Sequence, residues 1–297
     1  MSANVAVAFD VRNKLGEGPV WLGDKLGLAW CDILGRTVYV GLPGVGITNT
    51  YLFSEPVSAI FPTDGDDVLA ATADGIYALD LASGTQRRIV EVESDRMETR
   101  ANDGRVAPGG SIWLGTMSRR HQPNAGRLYH IVDGQTSVLR EPLTIPNATC
   151  FSPDGTRAYV CDTPEQRILT CTIDPETAAP TGPWELFVDL SREGLNPDGA
   201  TVDSAGYVWN AQWGSGRVAR YAPNGEFDRA IEFPVTQITC PAFGGPDLTT
   251  LFVTSAWEGL SKAGRERQPL AGAVFAVDVD VPGLPERRVV GDWWRRG

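Results

Sequence analysis

The chain has very little histidine and almost no helical patterning, and these two scarcities exclude much of enzyme chemistry. Only two histidines occur, His121 and His130. A three-histidine zinc site is therefore impossible, and a Ser-His-Asp triad has little to draw on. His130 lies in the strand pattern RLYHIV and reads as structural. His121 sits in the polar loop SRRHQPNAG and reads as solvated. No G-x-S-x-G elbow is present, since Trp213 stands two residues before Ser215. With amphipathic helices missing, no glycine-rich loop opens a helix to cradle phosphate. The best polar helix candidate, EVESDRMET at 91–99, reads as a loop. Around Asp64 to Asp67 the loop length and closing Glu of an EF-hand are lacking.

Other absences narrow the setting. The five cysteines, Cys31, Cys150, Cys161, Cys171 and Cys240, are odd in number and match no disulfide framework or zinc spacing. No run approaches the ~18 apolar residues of a membrane span. The start, MSANVAVAFDVRNKLGEG, lacks the basic region and apolar run of a secretory signal. A reduced, cytoplasmic protein is the expectation. The formal charge of −11 argues against nucleic-acid and anionic-membrane partners. It serves solubility first, though it also suits a cavity that holds a cation. What remains is oxygen chemistry: carboxylates, amides and a hard divalent ion.

Against these absences stands a repeat. Six stretches begin at Val20, Phe61, Val106, Phe151, Val202 and Phe243, at separations of 41, 45, 45, 51 and 41 positions. Each has an apolar strand entry, a Gly/Asp/Pro turn such as PDG (153–155) or SAG (204–206), and a strand rich in β-branched and aromatic residues. A period of this size predicts the blades of a β-propeller. The GH…WD signature of scaffold propellers is missing, and no linker divides the chain. The expectation is all-β: one six-bladed propeller over 1–297, with function at one end of its central channel. Its ring would be sealed by NVAVAFDV (4–11) with AVFAVDVDV (273–281) or ERRVVGDWW (286–294), the two tail tryptophans packing on the bottom.

Four motifs place unusual polar residues where inner strands should begin: LGEGPVW (15–21), RANDG (100–104), PNATCFSPDG (146–155) and NPDGATVDSAG (196–206). Singly each reads as a turn. Jointly they would bring Glu, Asn and Asp side chains from different blades into one cavity, an oxygen-only donor set that suits Ca²⁺, Mg²⁺ or Mn²⁺.

These motifs, together with WLGTM (113–117), resemble the senescence-marker-protein/regucalcin/gluconolactonase family of sugar lactonases over nearly the whole chain. The resemblance implies a six-bladed propeller whose divalent cation is held by Glu17, Asn147 and Asp198. Ca²⁺ is the first expectation for that ion, with Zn²⁺, Mn²⁺, Mg²⁺ or Fe²⁺ as further candidates. Arg100 and Asn102 would bind substrate oxygens, and Asp198 would double as the base that activates water. The implied reaction opens an aldono-, uronic- or aldaric-acid lactone to the sugar acid, in a monomer or homodimer. The alternative is a non-catalytic, regucalcin-like calcium-binding propeller. Two departures stand out. Where relatives can carry Glu three residues after GTM, this chain has Arg120, preceded by Arg119. Where bacterial lactonases often read NGP, it has Asn147-Ala148-Thr149. Arg120 in the pocket would bind a substrate carboxylate.

Overall fold

In a computed structural model, residues 4–295 are described. Six four-stranded antiparallel sheets follow one another around a central channel, each packed on the next and the last on the first. The inner strands, from blade 1 to blade 6, are Gly16–Trp21, Val57–Pro62, Thr99–Val106, Pro146–Phe151, Asn196–Val202 and Ile238–Gly244. Each repeat marks the hairpin from an inner strand to the second strand of its blade. Val20 pairs with Ala29, Phe61 with Leu69, Val106 with Ile112, Phe151 with Ala158, Val202 with Val208 and Phe243 with Leu251. The turns close as their residues dictate; Gly155 of the PDG turn takes φ +71, a conformation costly for any side chain.

The sheets' burial gradient explains the pattern of apolar residues. Inner and second strands have neighbouring blades on both faces, so stretches such as Leu28–Asp32 and Ile112–Ser118 are buried at every position. Outer strands such as Gly46–Leu52 and Phe227–Glu232 meet water and turn polar. Trp30, Trp113 and Trp209, all on second strands, are fully buried between blades. The six sheets form a single domain. A short helix, Lys262–Arg267, lies between the second and third strands of blade 6. Among the described residues no helix is long and apolar enough to cross a membrane.

The ring is sealed as one of the two expectations has it: Ala6–Phe9 adds to blade 6 as its outermost strand, antiparallel to Val274–Asp278. Residues 286–294 do not form a strand. They belong to a strap that crosses the far end of the channel and touches five blades. Its backbone meets blade 6 (Gly283 N–H to Leu248 O, 2.8 Å), blade 5 (Ser204 N–H to Pro282 O, 2.9 Å), blade 3 (Val290 N–H to Gly110 O, 3.3 Å) and blade 2 (Val289 N–H to Pro62 O, 2.8 Å). Arg287 reaches Ser152 O of blade 4. Trp294 ends the strap, buried beside Val289, Phe61 and Ile131.

Candidate functional site

An inner strand has one hydrogen-bonded neighbour; its other edge faces the channel. That is why proline is tolerated there, at Pro19, Pro62, Pro146, Pro197 and Pro241. All six inner strands also slip register close to the same level: between Glu17 and Val20, Val57 and Ala59, Ala101 and Gly104, Asn147 and Cys150, Pro197 and Ala200, and Ile238 and Pro241. Such bulges re-aim side chains. Here they leave Glu17, Asn102, Asn147 and Asp198 at the channel mouth. Gly18 takes φ +53 in its bulge, and a Cβ on it would stand 2.7 Å from Ser58 O. Ala148 adopts the same left-handed conformation (φ +59) directly after Asn147, where the bacterial pattern has glycine.

Glu17, Arg100, Asn102, Asn147 and Asp198 line one cavity of about 320 Å³, walled by Leu15, Met117, Ile145 and Trp213. Cross-blade hydrogen bonds lock the set. Asn102 Nδ2 donates to Pro146 O and to Asn147 Oδ1, both at 3.0 Å. Asn147 Nδ2 donates to Thr163 Oγ1 (2.9 Å), which donates to Pro197 O (2.7 Å), next to Asp198. Arg100 Nη1 donates to Ala101 O and Asn102 Oδ1, each at 2.8 Å. Asn210, fully buried, donates its amide to Asp198 O and Gly199 O and fixes that bulge.

Two carboxylates outside the four motifs do equivalent work in opposite blades. Asp32 accepts the N–H groups of Lys14 and Leu15, just before Glu17. Asp162 accepts those of Thr144 and Ile145, just before Asn147. A signal was present: both follow a cysteine at the end of a second strand, AWCD and YVCD.

The electrostatics are those of unanswered charge. Burial, and then the Asp103 carboxylate, raise the Glu17 pKa to about 8; the Gly18 N–H and Arg100 oppose this. Burial, Glu17 and Asp103 together hold Asp198 well above the usual carboxylate range. Burial lowers Arg100 to about 10, opposed first by Glu258. The molecule's well-buried ion pairs, Arg105–Glu286 and Arg220–Asp203, lie elsewhere. Among the described residues no three His, Cys, Asp or Glu side chains gather as a metal cluster. The donors here are two carboxylates and an amide oxygen, which such a cluster leaves out. They fit a hard divalent ion: every donor is oxygen, the two negative charges match, and Asn147 Oδ1 keeps a lone pair beyond its bond from Asn102.

Arg120 stands apart. The second strand of blade 3 ends at Ser118, and Arg120 follows on an exposed turn outside the cavity lining. Arg119 is turned back, donating to Thr99 O (2.8 Å) and Glu55 (2.7 Å). His121, expected to be solvated, is exposed yet reaches the cavity lining. Glu258 lines it too and belongs to no motif. His130 is buried, its Nε2 2.8 Å from Ser111 Oγ, in keeping with a structural role.

Residues 15–257 match the family described as the SMP-30/Gluconolactonase/LRE-like region. The chain is 36% identical to a 6-deoxy-6-sulfogluconolactonase of Pseudomonas putida, over 93% of this chain and 95% of that protein. It is 34% identical to an L-arabinolactonase of Azospirillum brasilense, over 95% and 94%. Its structure matches that of a calcium-binding protein, regucalcin, from Agrobacterium tumefaciens, with TM-score 0.94, 34% identity and coverage of 98% and 99%.

Proposed function

The chain belongs to the SMP-30/gluconolactonase/LRE-like family, and on that premise we propose that it is a metal-dependent sugar lactonase that opens a sugar lactone to its acid. The observation that carries this reading is the meeting of two unpaired buried carboxylates, Asn147 and Arg100 in a single cavity. Glu17, Asn147 and Asp198 would hold the divalent ion, Ca²⁺ first. When bound, that ion polarises the lactone carbonyl and steadies the charge that develops on its oxygen. Asp198 accepts the proton of the attacking water. Arg100 spends Nη1 on Ala101 O and Asn102, which aims the rest of its planar fork at substrate oxygens. Asn102 holds Arg100 and Asn147 in register and offers its remaining lone pair to a hydroxyl. Leu15, Met117, Ile145 and Trp213 pack on the sugar's C–H face and limit water at the reacting carbon. The same reading makes the protein a cytoplasmic monomer or homodimer acting on a small molecule, without nucleic-acid or membrane partners.

The test is a pH-indicator assay over aldono-, uronic- and aldaric-acid lactones, with chelator and metal add-back. Hydrolysis that chelation abolishes and a divalent ion restores is expected. Stoichiometric ion binding with no lactone hydrolysed would favour the second reading, a calcium-binding regulatory propeller, which the regucalcin match supports.

A further inference from the structure

We infer that Glu258 sets the charge preference of the cavity, selecting neutral polyhydroxylated lactones over lactones that carry a second acid group. This rests on the lactonase reading and names the substrate class within it. Glu258 follows the second strand of blade 6, Thr250–Ser255, on a segment that leaves the blade before the third strand resumes at Val274. In a ring of six, blade 6 stands opposite blade 3. Glu258 and Gly259 therefore meet the cavity from the side facing Arg100, Asn102 and His121.

The segment is fastened in place. Glu258 N–H donates to Lys14 O (3.0 Å) and Trp257 Nε1 to Arg12 O (3.1 Å). Lys14 and Arg265 flank the Trp257 ring at 5.8 and 4.7 Å. Gly259, at φ +75, makes the turn that follows. The Glu258 carboxylate itself makes no hydrogen bond or ion pair among the described residues, although the residue is half-buried. Glu258 lines the cavity, so this acceptor capacity is open to what fills it.

Charge arithmetic gives the preference its sign. The lining holds three carboxylates, Glu17, Asp198 and Glu258, against one guanidinium, Arg100. A divalent ion on the first two brings these lining charges to zero, with the Asp103 carboxylate buried close behind them; removing Glu258 shifts the cavity by one unit of charge in favour of anions. Among the described residues no other Lys or Arg lines the cavity, and His121 is its one further basic side chain. Arg119 is paired with Glu55, and neither it nor Arg120 lines the cavity. A sugar hydroxyl can donate to Glu258, whereas a second carboxylate meets it as a like charge, and such repulsion is how sites reject near-isosteres.

The test uses two ligands that cannot be hydrolysed: D-glucono-1,5-lactam and its 6-carboxylate counterpart, titrated calorimetrically with Ca²⁺ saturating. Wild type is expected to bind the neutral lactam at least about ten-fold tighter. Glu258→Gln, which keeps shape and loses charge, should bring the ratio to within about two-fold, and Glu258→Asp should retain the neutral preference. An unchanged ratio in Glu258→Gln, a wild-type preference for the acid, or binding of neither lactam overturns the inference. Should the lactams behave as expected while no sugar lactone is hydrolysed, the lactonase reading falls and the role of Glu258 stands. If lactones are hydrolysed while the ratio is insensitive to Glu258, the role of Glu258 falls and the lactonase reading stands.

Discussion

The two ends of the channel bury similar chemistry and treat it differently. At the far end, Arg105 of blade 3 meets Glu286 of the strap through Nη1 at 3.0 and 3.2 Å, and Arg105 Nη2 donates to Ala200 O at 3.3 Å. Arg105 and Glu286 thus answer one another from within the chain, and Arg287 and Arg288 end on backbone carbonyls. At the mouth, Glu17 and Asp198 lie as deep and make no ion pair among the described residues; Arg100 offsets the repulsion from Asp103 and between them only in part. An unpaired buried charge costs folding energy, and a chain that keeps two at one place leaves them for something it must bind. The closed end contributes stability; the open end gives some of it up for chemistry.

Perturbing each end separately tests this contrast. The largest effect should follow Asp198→Asn, which removes the proton acceptor and one negative charge. We expect kcat/KM for a sugar lactone to fall by about 10²–10⁴, with metal-free Tm unchanged or raised because repulsion with Glu17 is relieved. A loss under about ten-fold would strip Asp198 of the role of general base. At the closed end, Arg105→Met strands Glu286 and should lower unfolding free energy by about 3–5 kcal/mol in denaturant titrations. The kcat/KM of the folded fraction should hold, and the double change Arg105→Met/Glu286→Leu should recover most of the stability.

Glu17→Gln should weaken Ca²⁺ binding in calorimetric titration by roughly 10–100-fold, the cost that loss of even a ligand's hydrogen-bond partner can reach. It also sharpens the pH argument for the metal-free protein. The Glu17 carboxyl moves from 4.5 in its ordinary state to about 8 when folded. The folded state therefore holds an extra proton between these values, and its Glu17 contribution is full below pH 4.5 and lost on rising to about 8. The stability advantage of Glu17→Gln over wild type should grow across that window and level off above it. A difference independent of pH would sink this account. The smallest effect is expected for Asn102→Ala, with KM raised a few-fold more than kcat is lowered.

The periodic part of the architecture was legible because each blade repeats one local device. An apolar inner strand, a glycine turn and a buried second strand recur, and Val20, Phe61, Val106, Phe151, Val202 and Phe243 all mark it. Glu17, Asn102, Asn147 and Asp198 were visible as polar residues in motifs at inner-strand starts, Arg100 through the family resemblance, and one cavity gathers all five. The direction of Arg120 was not legible, because it lies beyond a strand's end, where alternation no longer fixes the face. Glu258 had no local signature, since it faces Arg100 only through ring geometry. The strap resembles a strand in its β-rich RRVV run, but its hydrogen bonds go one by one to five blades instead of to a single neighbour.

Ring closure through Ala6–Phe9 has a consequence for biosynthesis. Ala6–Phe9, made before the other strands of the propeller, must wait until Val274–Asp278 has been made before it finds its place. Contacts so distant along the chain form late because loop closure must be met first. Glu17 and Asp198 come from blades 1 and 5, so their mutual repulsion builds up only as the ring assembles.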